Sequence, residues 1–232
     1  MRDILEHIAP VVWRVVLCIA FVTVLMMLYQ LILTLGFRTV HLYLESSPFI
    51  MQVIDTEIEG VKIIIPDVHG DARGWFVEQY NAERYKAAGI TADFVQDNES
   101  FSSKGVVRGL HWQAAPYTQA KLVRVIRGAV WDVVVDIRKC SPTFGKHVSV
   151  VLSAENHKQF FIPRGFAHGF IVLEDNTLFS YKCDNLYHPE ADRGLKFDDP
   201  ALCIEWPKLD VEIKLSAKDQ KHPYLSTIEA YS

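Results

Sequence analysis

From about residue 52 to residue 183, the chain is a succession of short β-branched or aromatic runs, each cut off by glycine, proline or a polar turn. This is the feature that most limits how the chain can fold. Residues 61–65 end at Pro66, and residues 75–80 follow the turn His69-Gly70-Asp71-Ala72-Arg73-Gly74. Further strands are expected at 106–112, 120–126, 129–137, 147–152, 159–162, 168–173 and 177–183. Gly105, Arg127-Gly128, Ser141-Pro142, Pro163-Arg164-Gly165 and Glu174-Asp175-Asn176 punctuate them. One helix is expected, over 81–88, with Asn81 as its cap, Glu83 in its first turn and Gly89 beyond its end. The strand–helix alternation of a doubly wound sheet is absent, and no fixed-period repeat occurs. The pattern predicts one all-β domain, a sandwich or jelly-roll barrel with a few short helices. After Asp184 the regularity fades, and Pro189, Asp198-Asp199-Pro200 and Trp206-Pro207 predict an irregular tail packed on the barrel.

The first 50 residues differ from the rest. Residues 15–37 carry no charge and are almost wholly apolar, bracketed by Arg14 and Arg38 with Trp13 and Tyr29 toward the ends. At about 1.5 Å per residue, such a helix crosses a bilayer core of roughly 30 Å. The stretch is long for a signal peptide, and no small-residue cleavage site follows it. Residues 38–50 read as a linker, and Met51 opens a segment that looks like a natural start. Residues 1–50 are therefore either a membrane anchor preceding a domain over 51–232 or an extension ahead of the true start.

A net charge of −4 over 232 residues, with no dominant basic patch, argues against a nucleic-acid partner. Cys18, Cys140, Cys183 and Cys203 lie far apart and form no C-x-x-C pair, which predicts reduced thiols rather than disulfides or a zinc site.

The chemistry-bearing residues lie on the expected strands. Arg108-Gly109-Leu110-His111-Trp112-Gln113 sets a cation, a potential base and an amide side by side. His111 and Gln113 share a strand face, but ideal alternation turns Arg108 to the other, so a bulge is needed to aim Arg108 and His111 together. Lys121 opens an apolar strand, either as an edge lysine or as a cation beside a phosphate or oxyanion. His168 sits between Ala167 and Gly169, small neighbours that would admit a ligand. In isolation, Tyr181 reads as a core aromatic and Asp219 as solvated surface. A metal-binding cupin offers H-x-H followed by a carboxylate. Here Gln113 stands two after His111, so no metal is expected.

Residues 51–225 closely resemble the dTDP-4-dehydrorhamnose 3,5-epimerases, a metal-free branch of the cupin-type jelly rolls. The likeness runs through residues 70–74, 95–98, 103–113, 121–125, 141–145, 152–156, 162–170 and 181–183. It implies a cupin-type jelly-roll (double-stranded β-helix) barrel, preceded in this chain by the apolar N-terminal helix. It also implies a catalytic set: His111 as base, Asp219 as its dyad partner and Tyr181 as acid. Arg108, Lys121 and His168 would line the sugar and phosphate site. Arg73, Glu78, Gln96, Asn98 and Lys218 would hold the nucleotide, with Tyr187 stacking on the thymine. Trp112 and Ala120 are mild departures, standing where tyrosine or phenylalanine and glycine are more usual. No cofactor is expected, because protons next to the C4 ketone are acidic and no redox step occurs. The implied partners are a dTDP-4-keto-6-deoxy sugar and a second copy of the chain, with residues 52–80 pairing across subunits. Rival readings are a single-carbon epimerase, a 3,4-ketoisomerase and a non-catalytic sugar-binding module.

The resemblance implies a cytoplasmic substrate. An anchor at 15–37 would therefore have to place residues 51–232 in the cytosol. Arg2 and Arg14 against Arg38 do not favour that orientation, so an extension ahead of Met51 is the preferred expectation.

Overall fold

The computed structural model describes Met26, Met27, Gln30, residues 51–228 and Tyr231, and the following applies to them. Residues 51–228 lie in one compact unit, Phe49–Ser232. The apolar helix and linker expected before Met51 fall outside the described residues, apart from those three isolated positions. No described helix is long and apolar enough to cross a membrane.

Two antiparallel sheets stack face to face. The first has six strands: β1 (Met51–Asp55), β2 (Lys62–Pro66), β10 (Gln159–Ile162), β7 (Lys121–Arg127), β12 (Thr177–Cys183) and β5 (Gln96–Ser102), in that spatial order. The second runs β13 (Asp192–Gly194), β6 (Val107–Gln113), β11 (Phe166–Val172), β8 (Ala129–Asp136) and β9 (His147–Ser153). Strand pairing leaves both sheets open, and the expectation of an all-β domain with few helices holds. Val123, Val125, Phe160, Ile162 and Phe179 from the first sheet meet Val130, Val134, Phe166, Phe170 and Val172 from the second.

Both outer faces are partly covered too. The one α-helix, α1 (Ala82–Ala87), is capped by Asn81, whose side chain accepts from the Arg84 backbone N–H. It packs Tyr85, with Ile90, against Ile64, Leu122 and Phe161. The C-terminal tail lays Ile204, Trp206, Leu225, Ile228 and Tyr231 against Leu110, Trp112, Val133 and Val135. β8 is therefore buried on both sides, which is why its sequence is apolar without alternation.

Three strands differ from expectation. Residues 69–71, expected as turn, fall in β3 (Val68–Asp71), which pairs with β4 (Gly74–Val77) as a hairpin belonging to neither large sheet. β5 had no apolar signal, and β13 lies inside the tail expected to be irregular.

Candidate active site

The sandwich is open at one end, where a cavity of about 450 Å³ lies between the sheets. His111 and Arg108 reach it from β6 and His168 from β11, while Lys121 comes from β7 and Tyr181 from β12. An adjoining cavity of about 340 Å³ shares His111, Lys121 and Tyr181 and adds Gln96, Asn98 and Tyr187.

Arg108 and His111 reach one cavity because of the bulge that alternation required. Pairing of β6 with β11 shifts register between His168↔His111 and Phe170↔Arg108. Gly109 sits at the break with φ +117°, and a Cβ there would lie 2.6 Å from both Gly169 Cα and the His168 carbonyl. Gly169 thus admits the bulged backbone of β6, not a ligand as its small size suggested.

His111 owes its partner to the tail. Lys214 bridges to Val106, and the chain then turns through a 3-10 turn over Asp219–Lys221. Asp219 Oδ1 comes to rest 2.7 Å from His111 Nε2. The imidazole side chain is 32% exposed and the carboxylate only 4%, which corrects the surface reading of Asp219 in isolation. Burial would raise the Asp219 pKa, but hydrogen bonds from His111, Ser216 and the Gly109 backbone outweigh it and hold the carboxyl below its usual range. An anionic acceptor on Nε2 fixes the N–H there and leaves Nδ1 as the basic atom.

A second histidine–aspartate pair lies alongside. His168 Nε2 is 3.0 Å from each oxygen of Asp132, with both residues buried. Burial lowers the His168 pKa and raises that of Asp132, so both are pushed toward neutral forms. Lys121 is not an edge lysine. β7 is an interior strand, and Lys121 alternates with the core residues Val123 and Val125. Burial lowers its pKa. Burial likewise raises that of Tyr181, keeping its hydroxyl protonated.

The expected nucleotide residues divide into two groups. Gln96 accepts from the Tyr187 backbone N–H at 2.9 Å and donates to Asn98 at 3.0 Å. The Tyr187 hydroxyl donates to Asp192 at 3.0 Å, and Lys218 also pairs with Asp192, gathering these side chains at the cavity mouth. Arg73 and Glu78 do not join them within one chain. Arg73 pairs with Asp71 at the exposed end of the β3–β4 hairpin, and Glu78 lies 2.6 Å from Arg84.

Sequence reasoning missed Ser100, Ser102, Asp132 and Asp192. Ser100 Oγ is buried at the cavity without a hydrogen-bond partner, and Ser102 Oγ accepts from the Arg108 guanidinium at 3.2 Å. Only Asp132 carried a signal, as a lone carboxylate inside Ala-Val-Trp-Asp-Val-Val-Val.

An imidazole–carboxylate pair facing a phenol across a cationic cavity between two sheets is an arrangement suited to proton transfer, the chemistry of an isomerase. A sequence model of the dTDP-4-dehydrorhamnose 3,5-epimerases matches residues 55–227, and the chain belongs to that family. It is similar to the dTDP-4-dehydrorhamnose 3,5-epimerase of Shigella flexneri, with 55% identity over 68% of this chain and 87% of the relative. The Escherichia coli enzyme is 52% identical over 74% of this chain and 92% of its own. Among solved structures, the dTDP-6-deoxy-D-glucose-3,5-epimerase of Legionella pneumophila, in complex with dTDP-4-keto-L-rhamnose, matches with a TM-score of 0.75 and 51% identity. That match covers 78% of this chain and 95% of the other. A 3'-monoepimerase from Streptomyces bikiniensis, in complex with dTDP-quinovose, matches at TM-score 0.70 and 36% identity, over 74% and 87% of the two chains.

Proposed function

We propose that this chain converts dTDP-4-dehydro-6-deoxy-D-glucose to dTDP-4-dehydro-L-rhamnose by epimerising C3 and C5, in dTDP-rhamnose biosynthesis. The observation that carries the reading is the placement of base and acid on opposite sheets. His111, held by Asp219 at 2.7 Å, faces the same cavity as Tyr181. The C4 ketone makes the neighbouring C–H bonds acidic. His111 Nδ1 takes the proton, and the electron pair moves onto the C4 oxygen. Lys121 offers a charge to that enolate, with Arg108 and His168 as further donors. Tyr181 returns a proton to the opposite face of the same carbon, inverting it, and solvent restores both residues before the second carbon reacts. No redox partner enters this scheme. Double rather than single epimerisation is favoured by 51–55% identity to 3,5-epimerases against 36% to the monoepimerase. With this reading goes the cupin-type jelly-roll winding that the resemblance implies.

Turnover in deuterium oxide tests it. One deuterium is expected at each of C3 and C5. Label at one carbon alone would reduce the chain to a single-carbon epimerase, and binding without exchange would make it a sugar-binding module.

The acting species in this proposal is a homodimer. Trp75 and Phe76, 62% and 60% exposed, lie on a hairpin that pairs with neither large sheet. A second copy would cover them and bring Arg73 and Glu78 to the nucleotide. Light scattering that gives the monomer mass at micromolar protein would defeat this. The substrate is charged and crosses no bilayer unaided, so the reading places residues 51–232 in the cytosol. Mass spectrometry of the native N-terminus tests whether residues 1–50 belong to the mature chain.

A further inference from the structure

His222 has no part in the mechanism above, yet it is built into the dyad. Its side chain is 8% exposed, and Nε2 lies 3.2 Å from Asp219 Oδ1, the oxygen already engaged by His111. The alignment does not make a hydrogen bond, so His222 Nε2 is buried without a partner. The ring is held in place. It lies across Gly194 of β13, where a Cβ would fall 2.1 Å from ring atoms, and it meets His111 edge-on with centroids 5.3 Å apart. One potential ligand atom from each of His111, Asp219 and His222 lies within 4.8 Å of the other two.

Two imidazole nitrogens and one carboxylate oxygen around a common point are a ligand set for a borderline divalent metal. Zinc–ligand bonds of about 2.0–2.2 Å put the corners of a tetrahedral site roughly 3.3 Å apart. The spacings of 2.7 and 3.2 Å to Asp219 would open by about 0.6 and 0.1 Å to match, and the two histidines, whose ligand atoms lie within 4.8 Å, would close toward the same spacing. Magnesium and calcium, which prefer oxygen, are poorly served by two imidazoles.

We propose that His111, Asp219 and His222 form a binding site for zinc and similar transition metals, and that its occupancy switches epimerisation off. Metal on His111 Nε2 needs that atom's lone pair. The ring proton moves to Nδ1, the atom that must be free to accept a proton from the sugar, while Asp219 is committed to the metal. No electrons are exchanged, and removing the metal restores the base. The inhibitory step rests on His111 being the base, whereas the site itself does not.

Two readouts on the full chain separate these statements, with Cys140 and Cys203 changed to serine so that exposed thiols do not compete. Cobalt(II) titration, followed by its visible ligand-field bands, reports the site without turnover. Bands are expected in the parent and should be lost in His222→Leu. Zinc titration of solvent-deuterium exchange reports inhibition. Micromolar zinc should stop exchange, and a chelator should restore it. His222→Leu, scaled to its own metal-free rate, should need roughly tenfold more zinc or higher. His222→Gln, which keeps polarity but ligates poorly, replaces it if the leucine variant does not fold. Cobalt bands that survive both substitutions, or zinc inhibition unchanged by them, would overturn the proposal. Cobalt bands that depend on His222 in a chain showing no exchange would uphold the site and locate the failure in the epimerase reading.

Discussion

His111–Asp219 and His168–Asp132 stand beside each other across β6 and β11, with the two histidines directly paired in register. They use the same two residue types in different surroundings. In the first, the partners are 108 residues apart and the imidazole opens to the cavity. Its carboxylate collects enough hydrogen bonds for its pKa to fall despite burial. In the second, the partners are 36 residues apart and the carboxylate is fully buried, with its pKa raised by that burial. An accessible imidazole on an anion makes a base. A buried imidazole on a carboxyl pushed toward neutrality makes a fixed hydrogen-bonding fixture of the cavity wall.

The largest expected effect follows from the first pair. His111→Ala should lower turnover by about 10² to 10⁴, the usual worth of a positioned general base, while the unfolding midpoint stays close to the parent's. Near-parental turnover would sink the assignment of the base. Asp219→Asn should cost a comparable factor, up to about 10⁴, because an amide no longer dictates the tautomer. Steady-state rates against pH would show the loss in kcat rather than in KM.

The second pair should respond in the opposite currency. Asp132→Asn leaves His168 buried opposite an amide that cannot reproduce the carboxyl's hydrogen bonds, and the expected cost is about 1–3 kcal/mol of stability. Chemical denaturation would read this as an earlier midpoint, with a smaller fractional loss of turnover than Asp219→Asn gives. If Asp132→Asn were stable but inactive and Asp219→Asn unstable but active, the roles drawn here would have to be exchanged.

Sequence reasoning reached the first pair through the family resemblance and missed Asp132 of the second, although its strand was legible. β8 could be read because both its faces meet apolar layers, and Asp132 breaks that run visibly. β5 was missed because Gln96, Asn98 and Ser100 turn inward toward a cavity rather than a core. Hydrophobic periodicity records what a strand buries, and a strand that buries a binding site leaves no apolar trace. The β3 strand was hidden for a different reason: its Val-His-Gly-Asp reads as turn, and it has only β4 to pair with. The need for a bulge at Gly109 followed from alternation, but its presence depends on Gly169 across the sheet. Asp219 depended on an irregular tail folding back, which no local pattern encodes. The family resemblance supplied that pairing.

A third carboxylate sharpens the contrast to its smallest measurable form. Asp136 lies on β8 with Asp132, four positions on, and is as fully buried. Burial alone would raise its pKa, but hydrogen bonds donated by Arg138, Ser141 and Thr143 outweigh it and lower the value to about 2. One strand therefore holds two buried carboxyl groups shifted in opposite directions, and the number of donors decides which way each goes. The sign for stability follows from linkage. The folded pKa lies below the ordinary 3.8, so Asp136 stabilises the fold above about pH 4 and loses that contribution as pH falls toward 2. At about 1.4 kcal/mol per pKa unit, the contribution is about 2 kcal/mol. Urea unfolding of the parent and of Asp136→Asn at a series of pH values between 5 and 2 would isolate it, since other carboxylates cancel in the difference. The stability gap between the two proteins should shrink by about that amount as pH falls. A gap that stayed constant would mean that the Arg138–Ser141–Thr143 cage does not hold the carboxylate ionised, and that Asp136 behaves like Asp132 after all.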